Sequence, residues 1–160
     1  MMDELTLTSI SGDIDPPLRL LSAFQSAYPE HNPETIVLTP GRELWIAACT
    51  SDLFELHTPD LNGRTRFNWR DAKFKRTVLN RPLPRWSRYP AGVIYTLCAD
   101  GLEVSGFKAV IMGAEAAGVR YEYGLGLAVA ALLHTLHGRE YTANSLVDIM
   151  ERVRREYVEA

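Results

Sequence analysis

Gly106-Phe107-Lys108-Ala109-Val110-Ile111-Met112-Gly113 is a short, mostly apolar run bracketed by glycines, and further along the chain reads Leu125-Gly126-Leu127-Ala128-Val129-Ala130-Ala131-Leu132-Leu133. The first run is strand-length and predicts a buried strand over 106–112. The second is apolar on every side and predicts a helix that ends at Gly138. A helix without a polar face has to be enclosed by the rest of the domain, so it is expected at the centre. Residues 113–123 read as the loop between them.

Working outward, Asp15-Pro16 offers an N-cap and a first helical position, and Leu20, Leu21, Phe24, Ala27 and Tyr28 follow at helical spacing. Strands are predicted over 35–39 and 44–49, separated by Pro40-Gly41, and again over 53–57 and 64–69 with a turn at 60–63. These read as a meander. Trp86, Tyr89, Val93, Ile94 and Leu97 predict a helix over 86–99, which Pro90 either starts or kinks and Gly101 closes. A last helix begins at Thr142 or Asn144 and carries Leu146, Ile149, Met150, Val153 and Tyr157 on one face. The class is α+β, with no repeat, low-complexity segment or internal linker.

The 160 residues suit a single domain, 1–160, large enough to bury a core without staples. A net charge of −3 disfavours a nucleic-acid partner. Two basic runs, Lys73, Lys75, Arg76 and Arg81, Arg85, Arg88, read as a solvated rim. Cys49 and Cys98 lack metal-ligand spacing and read as reduced thiols. The acidic start Met1-Met2-Asp3-Glu4 is unlike a signal peptide, and Leu125–Leu133 is too short to cross a bilayer, so a cytoplasmic protein without membrane contact is expected. His134 and His137 are spaced for one helix face, but packing or surface hydrogen bonding is the default over metal, and no metal site is expected. Trp45, Trp69 and Trp86 read as core or interface anchors rather than base-stacking platforms.

Thr39-Pro40-Gly41-Arg42 between two strands, Trp86-x-x-Tyr89-x-x-Gly92-Val93-Ile94, and the strand, loop and helix from Ile111 to Ala130 occur in one order. In that order and spacing, across nearly the whole chain, the sequence resembles the N-terminal domain of galactokinase. The superfamily also contains homoserine, mevalonate and phosphomevalonate kinases. The resemblance implies a two-layer fold of sheet and helices, and it implies particular sites. Family members read Ala-Pro-Gly-Arg and then Val-Asn-Leu-Ile-Gly-Glu-His-Thr-Asp-Tyr, whose acids and histidine help bind sugar. Here Arg42 and Thr50 are kept, while the glutamate, histidine and aspartate fall on Ala48, Cys49 and Ser51. Asp52 substitutes only after a one-residue shift, so Arg42, Thr50 and Asp52 are the candidate sugar contacts.

The family's second signature, Pro-x-Gly-x-Gly-Leu-Ser-Ser-Ser, closes backbone N–H groups on phosphates at a helix start. It corresponds to Ala116-Ala117-Gly118-Val119-Arg120-Tyr121-Glu122-Tyr123-Gly124. The second glycine is Arg120, and the serines are Glu122, Tyr123 and Gly124. The degenerate phosphate loop is therefore Gly118, Arg120, Glu122 and Gly124, in which a carboxylate would repel triphosphate and two tyrosines would fill its space. Arg120 with Glu122 reads as a local ion pair, and Arg42 either as a relic of the arginine near the transferred phosphate or as a turn arginine held by an acid. The family's Gly-x-x-x-Gly-x-Met-Asp-Gln stretch with its catalytic aspartate does not follow Glu156-Tyr157-Val158.

No cofactor is expected, ATP and magnesium entering only if the chain is part of an active kinase. The resemblance implies a catalytically degenerate binding or regulatory module, a homodimer or protein partner covering the face of the absent domain, and a sugar or nucleotide as possible ligand. The alternatives are an N-terminal part of an ATP-dependent sugar kinase and a structural dimer domain.

Overall fold

The structure, a computed structural model, describes residues 16–160. The expected cap at Asp15 and the segment Met1–Glu4 lie outside the described residues. The first helix, α1 (Leu18–Ala27), starts two residues later than the Asp15-Pro16 signal implies. Pro17 holds the extended N-cap position and its carbonyl accepts from the N–H groups of Leu20 and Leu21.

Strands β1 (Thr35–Leu38), β2 (Leu44–Thr50), β3 (Phe54–Thr58), β4 (Gly63–Phe67) and β5 (Phe107–Gly113) form one sheet in the order β1-β2-β5-β3-β4. The expected meander is thus wrong in one respect: β5 inserts between β2 and β3, antiparallel to the first and parallel to the second. The physical reason lies in burial. Phe107, Ala109, Ile111 on one face of β5 and Val110, Met112 on the other are all buried, and only a central strand has cover on both faces.

Trp69 also departs from the strand expected over 64–69. It opens a one-turn helix α2 (Trp69–Lys73), because Asn68 and Asp71 form a capping box that ends β4. Helix α3 (Arg88–Ala99) carries Pro90 in its first turn, where no intrahelical N–H is lost, so the proline does not kink it. Helix α4 (Val119–Leu136) is central as expected, with an unbroken buried run from Gly124 to Leu133. Helix α5 (Ala143–Val153) begins on a Thr142–Ser145 capping box and continues through a wider turn to Val158.

Alternation along the strands sorts the core into two clusters. Val37, Leu44, Ile46, Ala48, Phe54, Leu56, Phe67, Phe107 and Ile111 face the layer of α2 to α5. Ile36, Trp45, Ala47, Cys49, Val110 and Met112 face α1, which contributes Leu20, Phe24 and packs Tyr28 alongside. The sheet and its main helical layer match the expected α+β arrangement, and α1 adds a partial layer behind it. That layer stops at β5. Beyond it the outer face of β3 and β4 is polar, carrying Glu55, His57, Arg64 and Arg66.

Candidate functional site

The β1–β2 turn and the loop after β5 lie side by side because Leu44 pairs with Gly113, and the Ala114 N–H donates to the Glu43 carbonyl at 3.1 Å. Gly41, with φ of 72°, makes the turn; the Thr39 N–H donates to the Leu44 carbonyl across it. Arg42 leaves this turn toward the start of α4. Its Nε and Nη2 donate to the two carboxylate oxygens of Glu115 at 2.7 and 2.6 Å, and Nη2 also donates to the Arg120 carbonyl at 2.7 Å. The Arg42 side chain is 8% exposed and that of Glu115 14%. The guanidinium holds the Glu115 carboxyl below the usual range against the opposing effect of partial burial.

Gly124 makes this possible. A Cβ there would sit 2.6 Å from Arg42 Nη2 and from Leu44 Cδ1. The position where the family loop carries a serine is here the gap through which the guanidinium passes under α4. Two cavities adjoin the pair. One of about 520 Å³ lies over Glu115, Gly118 and Arg120, and one of about 730 Å³ lies between Val119, Tyr123, Leu127 and the start of α5 at Ala143, Leu146 and Val147.

Of the two tyrosines expected to fill the phosphate space, Tyr121 turns into the core instead, while Tyr123 lines the larger of the two cavities. Tyr121 faces inward and is fully buried, its hydroxyl 2.6 Å from Thr58 Oγ1 and donating to Asp60 Oδ2 at 2.7 Å. The same Asp60 oxygen accepts from the Gly113 N–H at 3.0 Å. Burial drives the Tyr121 phenol well above its ordinary range. Tyr123 leans toward α5, its hydroxyl donating to Glu151 at 3.2 Å, and burial with that carboxylate pushes its phenol up to about 12.

The expected Arg120–Glu122 pair is also absent. Glu122 instead accepts from Arg85 Nε at 3.3 Å, because it projects toward the turn before α3. Arg120 is 77% exposed, and its Nε lies 4.0 Å from Glu115. The candidate sugar contacts are not gathered either. Thr50 ends β2 and Asp52 follows it, both exposed. The length of β2, roughly 20 Å at about 3.3 Å per residue, separates Thr50 from the turn that carries Arg42, and Asp52 lies beyond that far end.

His134 and His137 turn Nδ1 back to the carbonyls of Ala130 and Leu133, at 2.7 and 2.9 Å, and His137 Nε2 meets the Glu103 carbonyl at 2.9 Å. Among the described residues no cluster of three potential metal ligands occurs. Cys49 and Cys98 are free, and burial raises both thiols. Trp45 is in the core under α1, Trp86 lies against Gly63, and Trp69 stacks on Tyr95. Glu115, Asp60 and Tyr121 are the residues that sequence reasoning missed as members of this site. The only signal was an acid one turn before the glycine of the loop.

No protein-family model matches the chain, and neither does any curated protein. Solved structures do. The galactokinase of Lactococcus lactis, complexed with galactose, aligns with a TM-score of 0.58 at 19% identity, over 76% of this chain and 31% of that one. The mevalonate kinase of Methanococcus jannaschii aligns at 0.52 and 17%, over 71% and 36%. A further mevalonate kinase aligns at 0.51 and 16%, over 71% and 37%. Over the aligned part the chain shares the fold of these kinases, and it spans about a third of their length. Among the described residues no helix is long and apolar enough to cross a membrane.

Proposed function

We propose that this chain is a catalytically degenerate, galactokinase-like module that binds or regulates rather than phosphorylates. The observation that carries the reading is the Arg42–Glu115 pair. A guanidinium at a helix start is a ready ligand for phosphate oxygens. Here a carboxylate of the same chain takes that place at 2.6 and 2.7 Å. ATP with magnesium does not fit this donor set well. The loop 114–118 offers no hydroxyl, the first turn of α4 carries Glu122, and Arg42 is already satisfied. Exposed Val119 and Val147 beside the larger cavity supply an apolar surface for the expected homodimer.

The test is ligand-dependent melting with magnesium-ATP, galactose and galactose 1-phosphate, combined with a coupled assay for phosphoryl transfer. The module reading expects no turnover and a saturable rise in melting temperature with one of the non-nucleotide ligands. Flat curves with all three leave the structural dimer domain, for which light scattering at micromolar concentration must give a dimer mass.

A second reading is favoured by the share of chain matched: about a third of each kinase. On that reading the remaining segments of an ATP-dependent sugar kinase complete the cleft. Turnover of galactose when the natural complement of this segment is present would establish it, and would remove the degenerate reading.

A further inference from the structure

Nine of the chain's 17 lysines and arginines fall between positions 64 and 88, where Asp71 is the only acid, although the chain as a whole carries −3. Four of these cations are engaged elsewhere in the fold. Arg64 donates to the Ala27 carbonyl and lies over the Tyr28 ring, Arg76 donates to the Asn80 carbonyl, Arg85 holds Glu122, and Lys75 sits over the Tyr157 ring. Arg66 and Arg81 are not: among the described residues neither guanidinium has an ion-pair or hydrogen-bond partner.

Both line one cleft of about 570 Å³, on the far side of β4 from the α4 site. Arg64 and Arg66 alternate onto the outer face of β4, and Glu55 stands on β3 beside them. That carboxylate is 13% exposed and is already shared between Arg64 at 3.9 Å and Lys108 at 4.0 Å. It does not neutralise Arg66 or Arg81. The opposite wall is Val78, Leu79, Pro82 and Pro84, with Leu79 72% exposed.

Arg81 is delivered by a rigid turn rather than a slack loop. The Asn80 N–H donates to the Thr77 carbonyl at 2.9 Å, the Thr77 N–H to the Arg81 carbonyl at 2.8 Å, and Thr77 Oγ1 accepts from the N–H groups of Leu79 and Arg81. Lys75 and Asn80 hold left-handed backbone, φ of 58° and 60°, which costs a lysine more than an asparagine. The Val78 N–H then clips the turn to β4 through the Arg66 carbonyl at 3.0 Å. Two unpaired like charges are therefore held at one concave, half-apolar place by structure that has no other visible use for them. Such an arrangement repels itself when empty and favours an anion that bridges it.

We propose that this cleft binds a small organic phosphate. The forks of Arg66 and Arg81 take the phosphoryl oxygens, which suit guanidinium geometry, and the Val78, Leu79, Pro82 and Pro84 wall takes the organic body. The site is separate from the loop at α4 and does not depend on whether that loop binds nucleotide.

Phenyl phosphate and inorganic phosphate are the probes, titrated calorimetrically into the full chain at low ionic strength. Phenyl phosphate is expected to bind saturably and more tightly than inorganic phosphate. Arg66→Gln and Arg81→Gln should each weaken it at least ~10-fold with the melting temperature unchanged, since both side chains are exposed. Arg139→Gln, an exposed arginine outside both places, should leave it as in wild type. The proposal is overturned if phenyl phosphate shows no saturable binding, or if Arg139→Gln weakens binding as much as the other two variants do. It is equally overturned if a glutamate-rich peptide occupies the cleft and phenyl phosphate fails to displace it.

Discussion

Glu115→Gln removes one charge from the Arg42 pair while keeping its shape. The guanidinium it leaves is 8% exposed and retains the Arg120 carbonyl as acceptor, so the loss is less than that of stranding a wholly buried ion. Breaking a buried pair costs about 3–5 kcal/mol, and this pair sits at the edge of burial, so about 2–3 kcal/mol is expected. For a domain of this size that lowers the melting temperature by roughly 4–12 °C. The pH dependence carries the sign. Glu115 titrates lower when folded than when unfolded, because Arg42 hydrogen-bonds its ionised form. Its contribution is therefore complete above the unfolded glutamate value of about 4.3 and is lost as pH falls through the folded value. Urea unfolding followed by circular dichroism from pH 7 to pH 3 should show wild type and Glu115→Gln converging on acidification. Arg42→Met should cost a similar amount, and the double variant much less than the sum. A Glu115→Gln loss under about 0.5 kcal/mol at pH 7, in the range of an exposed pair, or strict additivity with Arg42→Met, would refute the reasoning.

Gly124→Ala puts a Cβ 2.6 Å from Arg42 Nη2 and Leu44 Cδ1, so it should destabilise by about 1–3 kcal/mol despite the better helix propensity of alanine; a more stable variant in urea would contradict this. Tyr121→Phe deletes the hydroxyl that joins Thr58 and Asp60, and should cost about 1–3 kcal/mol in the same assay with no change in slope between pH 6 and 9, where the phenol stays protonated. Cys49, buried with a raised thiol, should resist a thiol-labelling reagent in the native protein and react at the rate of a free thiol in urea; rapid native labelling at Cys49 would show that α1 does not cover the sheet as described.

The elements were largely legible because each carries its own periodicity or cap. The all-apolar run 125–133 could only be an enclosed helix, and Thr142 or Asn144 marked the start of α5, of which the structure selects Thr142. Trp69 was misassigned because the apolar side chain outweighed the Asn68–Asp71 cap, a short polar signal next to a strand. Of the candidate site, Arg42, Gly118, Arg120 and Gly124 were legible as a turn and a loop, and these do meet in space. Thr50 and Asp52 do not join them, since alignment along a sequence motif says nothing of how far a straight strand carries its ends apart.

By itself, then, the sequence determined the α+β class, the central helix, the glycine turn that aims Arg42, and the lack of hydroxyls in the loop before α4. These are local matters, settled by spacing and by which backbone angles a residue allows. The place of β5 between β2 and β3, the pairing of Arg42 with Glu115, the inward turn of Tyr121 and the placing of Arg66 and Arg81 along one cleft were decided only by the tertiary structure. Each brings together residues far apart in the chain or turns a side chain by the packing of its helix. Such pairings depend on which face every element buries, and no local stretch of sequence records that.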